Sequence, residues 1–256
     1  LLMIVALVLS VLMLKWVVVD KLDKYAPKES SQITTAMRER QLACLSKNIY
    51  YEAGSEPFEG KVAVAQVTLN RVNSGQFPND VCKTIYQKNV FYERFNIPHR
   101  DFILVTFHPE TITPEQNQFN AKEMRSALQK ISKKHFLVIT MPNADTMGSI
   151  FRSEIKILQN DIQDNVLCVE NFGKENYFSA MYYAKILIGN TSSGILEAAS
   201  FGKYVINVGN RQQGRLQSTN CINVPFNASE IVSGFRSALK LDEYFGENVY
   251  YKSSPS

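Results

Sequence analysis

A turn rich in hydroxyl side chains, Gly189–Gly202, holds the residues best suited to bind an anion. It reads GNTSSGILEAASFG and follows the apolar run 184–188. Glycine allows close backbone approach to a ligand, and hydroxyls at a helix start cap the helix or donate to phosphate oxygens. The residues predicted to do so are Thr191, Ser192, Ser193 and Gly194. Glu197 is suited to accept hydrogen bonds from a ribose diol. An ordinary helix capped by a hydroxyl has the same pattern. The prediction of an anion site therefore needs further polar residues at the same place.

The elements that must position this turn follow one another regularly from Asp101 onward. Apolar runs typical of strands occupy 102–106, 136–140, 166–169, 185–188, 204–208 and 221–224. Helical patterns occupy 114–131, 148–158, 175–184, 194–201 and 229–239. Strands that alternate with helices of this length predict βαβ units. The fold class is therefore α/β, a Rossmann-like parallel sheet with helices on both faces.

Further polar residues follow the predicted strands. His108 comes after the first strand, and Arg211 and Arg215 come after the fifth. Taken singly, the histidine is explained by capping or by a core position, and the arginines by surface charge. Ligands of parallel sheets bind at the carboxyl ends of the strands, so the shared edge favours a diphosphate site.

The sequence motifs in these segments are similar to those of a known family. The motif FHPET and the block GNTSSGILEAASFGKYVINVGNRQQGR resemble the C-terminal domain of hydrolysing UDP-N-acetylglucosamine 2-epimerases, over about 91–251. The resemblance implies half of a GT-B architecture with UDP or a UDP-sugar as ligand. It also implies roles for the residues named above: the hydroxyls at 191–193 bind the diphosphate and Glu197 the ribose. His108, also a candidate catalytic residue, lies near the pyrophosphate, and Arg211 and Arg215 lie near the nucleotide or a closing interface.

The family's reaction requires more than this half. It eliminates UDP to give a glycal and then adds water, and the carboxylates that move the C2 proton come from an N-terminal Rossmann domain. No stretch of the sequence resembles that domain. We therefore expect UDP binding without efficient epimerisation, or a catalytically silent nucleotide-sugar-binding module.

The segment 40–88 resembles a different family. It contains NIYYEA, EPFEG and VAQVTLNRV, a succession similar to the cell-wall hydrolases typified by spore-cortex-lytic enzymes. Two helical patterns flank the acidic loop, and Val62, Val67 and Leu69 belong to the apolar positions of the second. The resemblance implies that Glu52 is the general acid/base of a lytic transglycosylase acting on peptidoglycan. Three glutamates in eight positions also suit a solvated turn. Because the resemblance ends near Lys88, we expect Glu52 to lack the walls of a complete glycan groove.

The N-terminal segment and the linking segments complete the predicted domain organisation. Residues 1–19 are apolar except for Ser10 and Lys15 and are read as a signal-anchor, membrane-contacting or transmembrane-like helix. Residues 20–39 form a tether, 89–100 a junction, and 101–251 the nucleotide-sugar domain. An export signal and a UDP-sugar site, expected in the cytoplasm, imply opposite compartments, and a fusion would explain that conflict.

The composition excludes some function classes. The 256 residues carry a net charge of +4 without a run of five or more like charges, so nucleic acid is not indicated. The four cysteines lack metal-ligand spacing, so we predict no metal and no cofactor. Free, buried thiols are the default interpretation, while pairing of Cys44 with Cys82 and oligomerisation stay open.

Overall fold

A computed structural model describes residues 35–111, 113–143 and 146–250. The apolar segment predicted at 1–19 lies outside this range, as does most of the tether. Within the described range, no helix has the length and apolar character that crossing a membrane demands. The chain divides into two compact units between Met37 and Arg38, and the contacts described below lie within the second.

Nine α-helices and six strands make up the described part of the chain. The helices are α1 Thr35–Ala53, α2 Phe58–Asn73, α3 Val81–Ile85, α4 Lys88–Arg94, α5 Asn117–Ser132, α6 Thr146–Asp161, α7 Gly173–Tyr183, α8 Ser192–Leu196 and α9 Ala228–Ala238. The strands are β1 Phe102–Thr106, β2 Phe136–Thr140, β3 Val166–Val169, β4 Leu187–Gly189, β5 Val205–Val208 and β6 Cys221–Val224. Short 3₁₀ turns precede α5 at Pro114–Gln116 and follow α8 at Ala198–Phe201.

The six strands form one parallel sheet in the order β3-β2-β1-β4-β5-β6. The prediction of a Rossmann-like α/β domain is confirmed. The strand order reverses direction between β1 and β4, and a crevice opens at such a point beyond the carboxyl ends of the strands. Each central strand is buried along its whole length because helices cover both faces of the sheet.

The two faces of the sheet belong to two separate hydrophobic cores. Ile103 and Val105 point into a core with helices α5, α6 and α9. Phe102 and Leu104, their neighbours along β1, point into a second core. This alternation is the two-residue period of a strand, and it lets one segment of sequence hold both layers together.

The second core joins the segment that resembles cell-wall hydrolases to the sheet. Val81 and Tyr86 from this segment are buried together with Phe178 of α7 and Phe201 of the 3₁₀ turn. The Tyr86 and Phe201 ring centroids are 5.8 Å apart in an edge-on arrangement. Aromatic pairs at such separations add to the stability gained from burial alone. The two segments with different family resemblances therefore share one core.

A disulfide corrects the default prediction of free thiols. Cys44 of α1 and Cys82 of α3 are bonded, with their Cα atoms 5.4 Å apart. Cys168 and Cys221 are free and partly buried. The pairing depends on how α1 and α3 pack, which the spacing of cysteines along a chain does not determine.

Helix α2 departs from its predicted packing. Val62 and Val67, taken above as an apolar helical face, are 46% and 50% exposed, and Phe58 at the helix start is 75% exposed. Thr68 is the one residue of α2 classed as buried. Periodicity identified the helix correctly, but among the described residues no element covers most of this face.

Candidate functional site

The candidate site lies where β1 and β4 end side by side. Thr106 and Gly189, the last residues of these strands, pair directly. Gly189 has φ +152°, and a Cβ atom there would overlap the carbonyl oxygen of Thr106. Only glycine permits this close approach of the two strands. The loops that follow them, 107–111 and 190–191, therefore leave the sheet next to one another.

Asn190 is fully buried and links three loops of this edge. Its side-chain oxygen accepts a hydrogen bond from the backbone N–H of His108, and its amide donates to the carbonyl of His108, both at 2.8 Å. Its own carbonyl accepts from Gln212 Nε2 at 2.8 Å and from Arg211 Nη1 at 3.4 Å. Sequence analysis did not single out Asn190, although its position directly after a strand and before the hydroxyl cluster was a usable signal.

Glu110 is a second buried residue that sequence analysis missed. Its Oε1 accepts hydrogen bonds from the backbone N–H groups of Asn210 and Arg211, at 3.1 and 3.2 Å. Its Oε2 is buried and has no hydrogen-bond partner within the described parts of the chain. Buried polar atoms are nearly always satisfied, so this oxygen is available to a ligand. A signal was present, because Glu110 lies two residues after His108.

A cavity of about 470 Å³ opens beside these loops. Its lining consists of His108, Pro109, Glu110, Thr111, Pro114, Asn143, Met147 and Arg211. The volume is within the range typical of small-molecule sites. The structure thus brings two predicted residues, His108 and Arg211, to one cavity. Arg215 is exposed and is not part of the lining.

The hydroxyl cluster starts helix α8 next to this cavity but does not line it. Thr191 is the N-cap residue, and its side chain accepts a hydrogen bond from the Ser193 N–H at 3.3 Å. Ser192 and Ser193 are partly exposed, and Gly194 is buried against Val205. Glu197 follows as the C-cap residue of α8. The predicted helix start is therefore present, with hydroxyls accessible at it.

Tyr177 lies behind this helix start and is a further residue that sequence analysis missed. Its hydroxyl is 3.1 Å from Thr106 Oγ1, which in turn accepts from Thr140 Oγ1 at 2.9 Å. Burial raises the Tyr177 pKa to about 12, against the opposing hydrogen bonds to Thr106 and Thr191. The phenol is therefore a neutral hydrogen-bonding group at neutral pH. It belongs to an otherwise ordinary helix pattern, so the sequence offered no signal.

Glu52 lies at a different, smaller cleft of about 130 Å³. Helix α1 contributes Asn48 and Glu52, and the chain around α3 contributes Ile85 and Tyr86. The opposite wall comes from α7, with Asn176, Phe178 and Ser179. Glu52 itself is exposed. The expectation that Glu52 lacks the walls of a complete glycan groove stays a prediction. The volume of this cleft is little over a quarter of that of the cavity at the sheet edge.

Known proteins resemble both parts of the chain. Residues 66–254 match the family model described as UDP-N-acetylglucosamine 2-epimerase. The GDP/UDP-N,N'-diacetylbacillosamine 2-epimerase (hydrolyzing) of Campylobacter jejuni is 38% identical over 133 residues, which are 50% of this chain and 33% of that protein. The spore cortex-lytic enzyme of Bacillus subtilis is 49% identical over 47 residues, which are 18% of this chain and 15% of that protein. The chain thus spans about a third of the epimerase relative.

The fold has a counterpart among solved structures. The UDP-GlcNAc 2-epimerase of Neisseria meningitidis, solved bound to UDP-GlcNAc, aligns with a TM-score of 0.51 at 18% identity. The alignment covers 72% of this chain and 47% of that one. The family model covers most of the sheet domain described above, including the three loops joined by Asn190. The chain therefore belongs to the UDP-N-acetylglucosamine 2-epimerase family.

Proposed function

We propose that this chain binds a UDP-sugar at the edge of the sheet where β1 and β4 end. The observation that carries the proposal is the joining of three loops around the buried Asn190, beside a cavity of about 470 Å³, in a chain of this family. In the proposed arrangement, the hydroxyls of 191–193 and the Gly194 turn bind the diphosphate, and Glu197 binds the ribose. His108 and Arg211 face the diphosphate and the sugar from the other side.

Buried groups without partners support a polar ligand. Glu110 Oε2 and Arg211 Nε both lack a hydrogen-bond partner within the described residues, and both side chains line the cavity. An acceptor and a cationic donor at one wall suit a ligand with hydroxyl and phosphate groups. Such a ligand would form hydrogen bonds with these two buried groups. Those bonds would offset the free-energy cost of removing the groups from water.

The chemistry proposed for the chain by itself is binding and not turnover. Epimerisation at C2 requires a base and an acid at that carbon. In the family, those carboxylates come from a domain that none of these 256 residues resembles. We therefore expect the chain to release UDP and N-acetylmannosamine from UDP-N-acetylglucosamine only when another polypeptide supplies that half.

Titration calorimetry with UDP and UDP-N-acetylglucosamine tests the proposal. Arg211→Met is expected to weaken UDP binding about tenfold, because a partly buried charge-assisted contact to phosphate is lost. Arg215→Met is expected to weaken it about two- to threefold, since the Arg215 charge is exposed and screened. Arg236→Met, an exposed arginine on α9, is the matched control and should bind like the wild type.

Two results would contradict the proposal. Absence of heat with UDP at millimolar concentration would remove the binding function. Release of N-acetylmannosamine by the purified chain alone would show that it carries out the reaction without another half.

A further inference from the structure

A lysine from the segment that resembles cell-wall hydrolases reaches the proposed nucleotide site. Lys47 lies on α1, and its Nζ is 4.1 Å from the ring centroid of Phe201 and 5.2 Å from that of Phe178. The Nζ is buried and has no hydrogen-bond partner within the described residues. An ammonium group held over two aromatic faces gains some stabilisation, but it has lost its hydration.

Glu197 lies near the Lys47 ammonium, because it directly precedes the 3₁₀ turn Ala198–Phe201, and the ammonium lies over the ring of Phe201. Burial lowers the Lys47 pKa to about 8, and the negative charge of Glu197 opposes that decrease. Glu197 ends helix α8 and is the residue proposed to bind the ribose. A residue from outside the sheet domain therefore carries a charge that acts on the carboxylate proposed to bind the ribose.

We propose that Lys47 is a positioning residue of the nucleotide site: its ammonium holds Glu197 as an oriented carboxylate that accepts from the ribose hydroxyls. The inference rests on the proposed function. The positive charge of the ammonium attracts the carboxylate and so favours one orientation of the Glu197 side chain. Hydrogen bonds to an ionised acceptor are roughly twice as strong as those to a neutral one. Lys47 thereby makes UDP affinity depend on the segment at 40–88.

The groups facing Lys47 allow its titration to be observed separately. From α8 it faces Glu197, and the hydroxyl of Tyr177 on α7 interacts with that same carboxylate. Tyr177 titrates near pH 12, well above the relevant range. On its own helix, Glu52 lines the neighbouring cleft with Phe178. Lys47 is therefore the group of this cluster that changes charge near pH 8.

The test is the UDP affinity of the full chain between pH 6.5 and 9.5. Below pH 8 Lys47 is charged, so the wild type should bind tightly; above pH 8 the charge is lost and affinity should fall about tenfold over roughly one pH unit. Lys47→Met, which keeps the apolar stem over the rings, should bind about tenfold more weakly at pH 7 and show no decline through pH 8.

A second buried lysine provides the control. Burial also lowers the pKa of Lys203 to about 8, but Lys203 lies with Glu243 and Gly202 at another pocket, near the amino end of β5. Lys203→Met should keep both the wild-type affinity and its decline through pH 8. Thermal melting of each variant checks that it is folded.

The outcomes separate this inference from the proposed function. UDP binding by the wild type together with an unchanged affinity and pH profile in Lys47→Met would overturn the role of Lys47 and leave the binding function in place. A wild-type affinity that is constant through pH 8 would overturn it without any variant. Absence of UDP binding by the wild type would overturn both.

Discussion

The two concave sites of this chain differ in how their polar groups are held. At the sheet edge, the cavity of about 470 Å³ is lined by loops that the buried side chains of Asn190 and Glu110 hold together through hydrogen bonds to backbone groups. At the second site, the exposed Glu52 lies in a cleft of about 130 Å³ between helices of two segments. The first arrangement fixes backbone positions, whereas the second depends on helix packing.

This difference indicates which site is preorganised for a ligand. Binding sites need groups that are already oriented and desolvated, because ordering them on binding reduces affinity. Glu110 Oε2 and Arg211 Nε meet this condition, since both are buried within hydrogen-bonded loops. Glu52 is exposed, so water competes for its carboxylate. The cavity at the sheet edge is therefore the site to which we assign function.

The largest expected effect is on the helices that form the cleft. Reducing the Cys44–Cys82 disulfide removes a cross-link that spans 38 positions of sequence, which should lower the free energy of unfolding by about 3 kcal/mol. Because the segment and the sheet share the second core, we expect one cooperative transition at lower denaturant concentration. Urea unfolding with and without reductant measures this.

The control for that experiment is the double variant Cys44→Ala, Cys82→Ala. Its unfolding should not respond to reductant, because the remaining cysteines, Cys168 and Cys221, are free. Two separate unfolding transitions in the reduced protein would contradict the expectation of one cooperative transition, because the helices and the sheet would then unfold independently.

A smaller effect is expected at the sheet edge. Asn190→Ala leaves the buried backbone N–H and C=O of His108 without their partners, which should cost about 2 kcal/mol of stability. It should also remove measurable UDP binding, because the three loops are no longer joined. Asn210→Ala is the matched control, an exposed asparagine of the same edge whose described hydrogen bond comes from its backbone. If Asn190→Ala binds UDP like the wild type, preorganisation by this residue is refuted.

The smallest effect is expected for Glu52→Gln. The side chain is exposed, so stability and UDP affinity should change little. A cleft of about 130 Å³ is small for a glycan strand, so neither the wild type nor the variant should release anhydro-muropeptides from purified peptidoglycan. Release by the wild type and not by Glu52→Gln would instead assign lytic transglycosylase activity to the cleft.

The sequence by itself determined the architecture of the sheet domain. Each strand from Phe102 to Val224 was predicted within two residues at its ends, because apolar runs between turn-forming residues are a local pattern. The order of glycine and hydroxyls in 189–194 likewise predicted a strand followed by a capped helix, which the structure contains. The family resemblance rests on the same local sequence motifs.

Only the tertiary structure decided which distant residues meet. The disulfide between Cys44 and Cys82, the bonds of Asn190 to His108 and the position of Lys47 over the Phe201 ring join positions far apart in the sequence. The exposure of Val62 on α2 was equally unpredictable, because periodicity identifies an apolar face but not the element that covers it. Contacts of this kind depend on how helices pack against the sheet, and packing is a property of the whole folded chain.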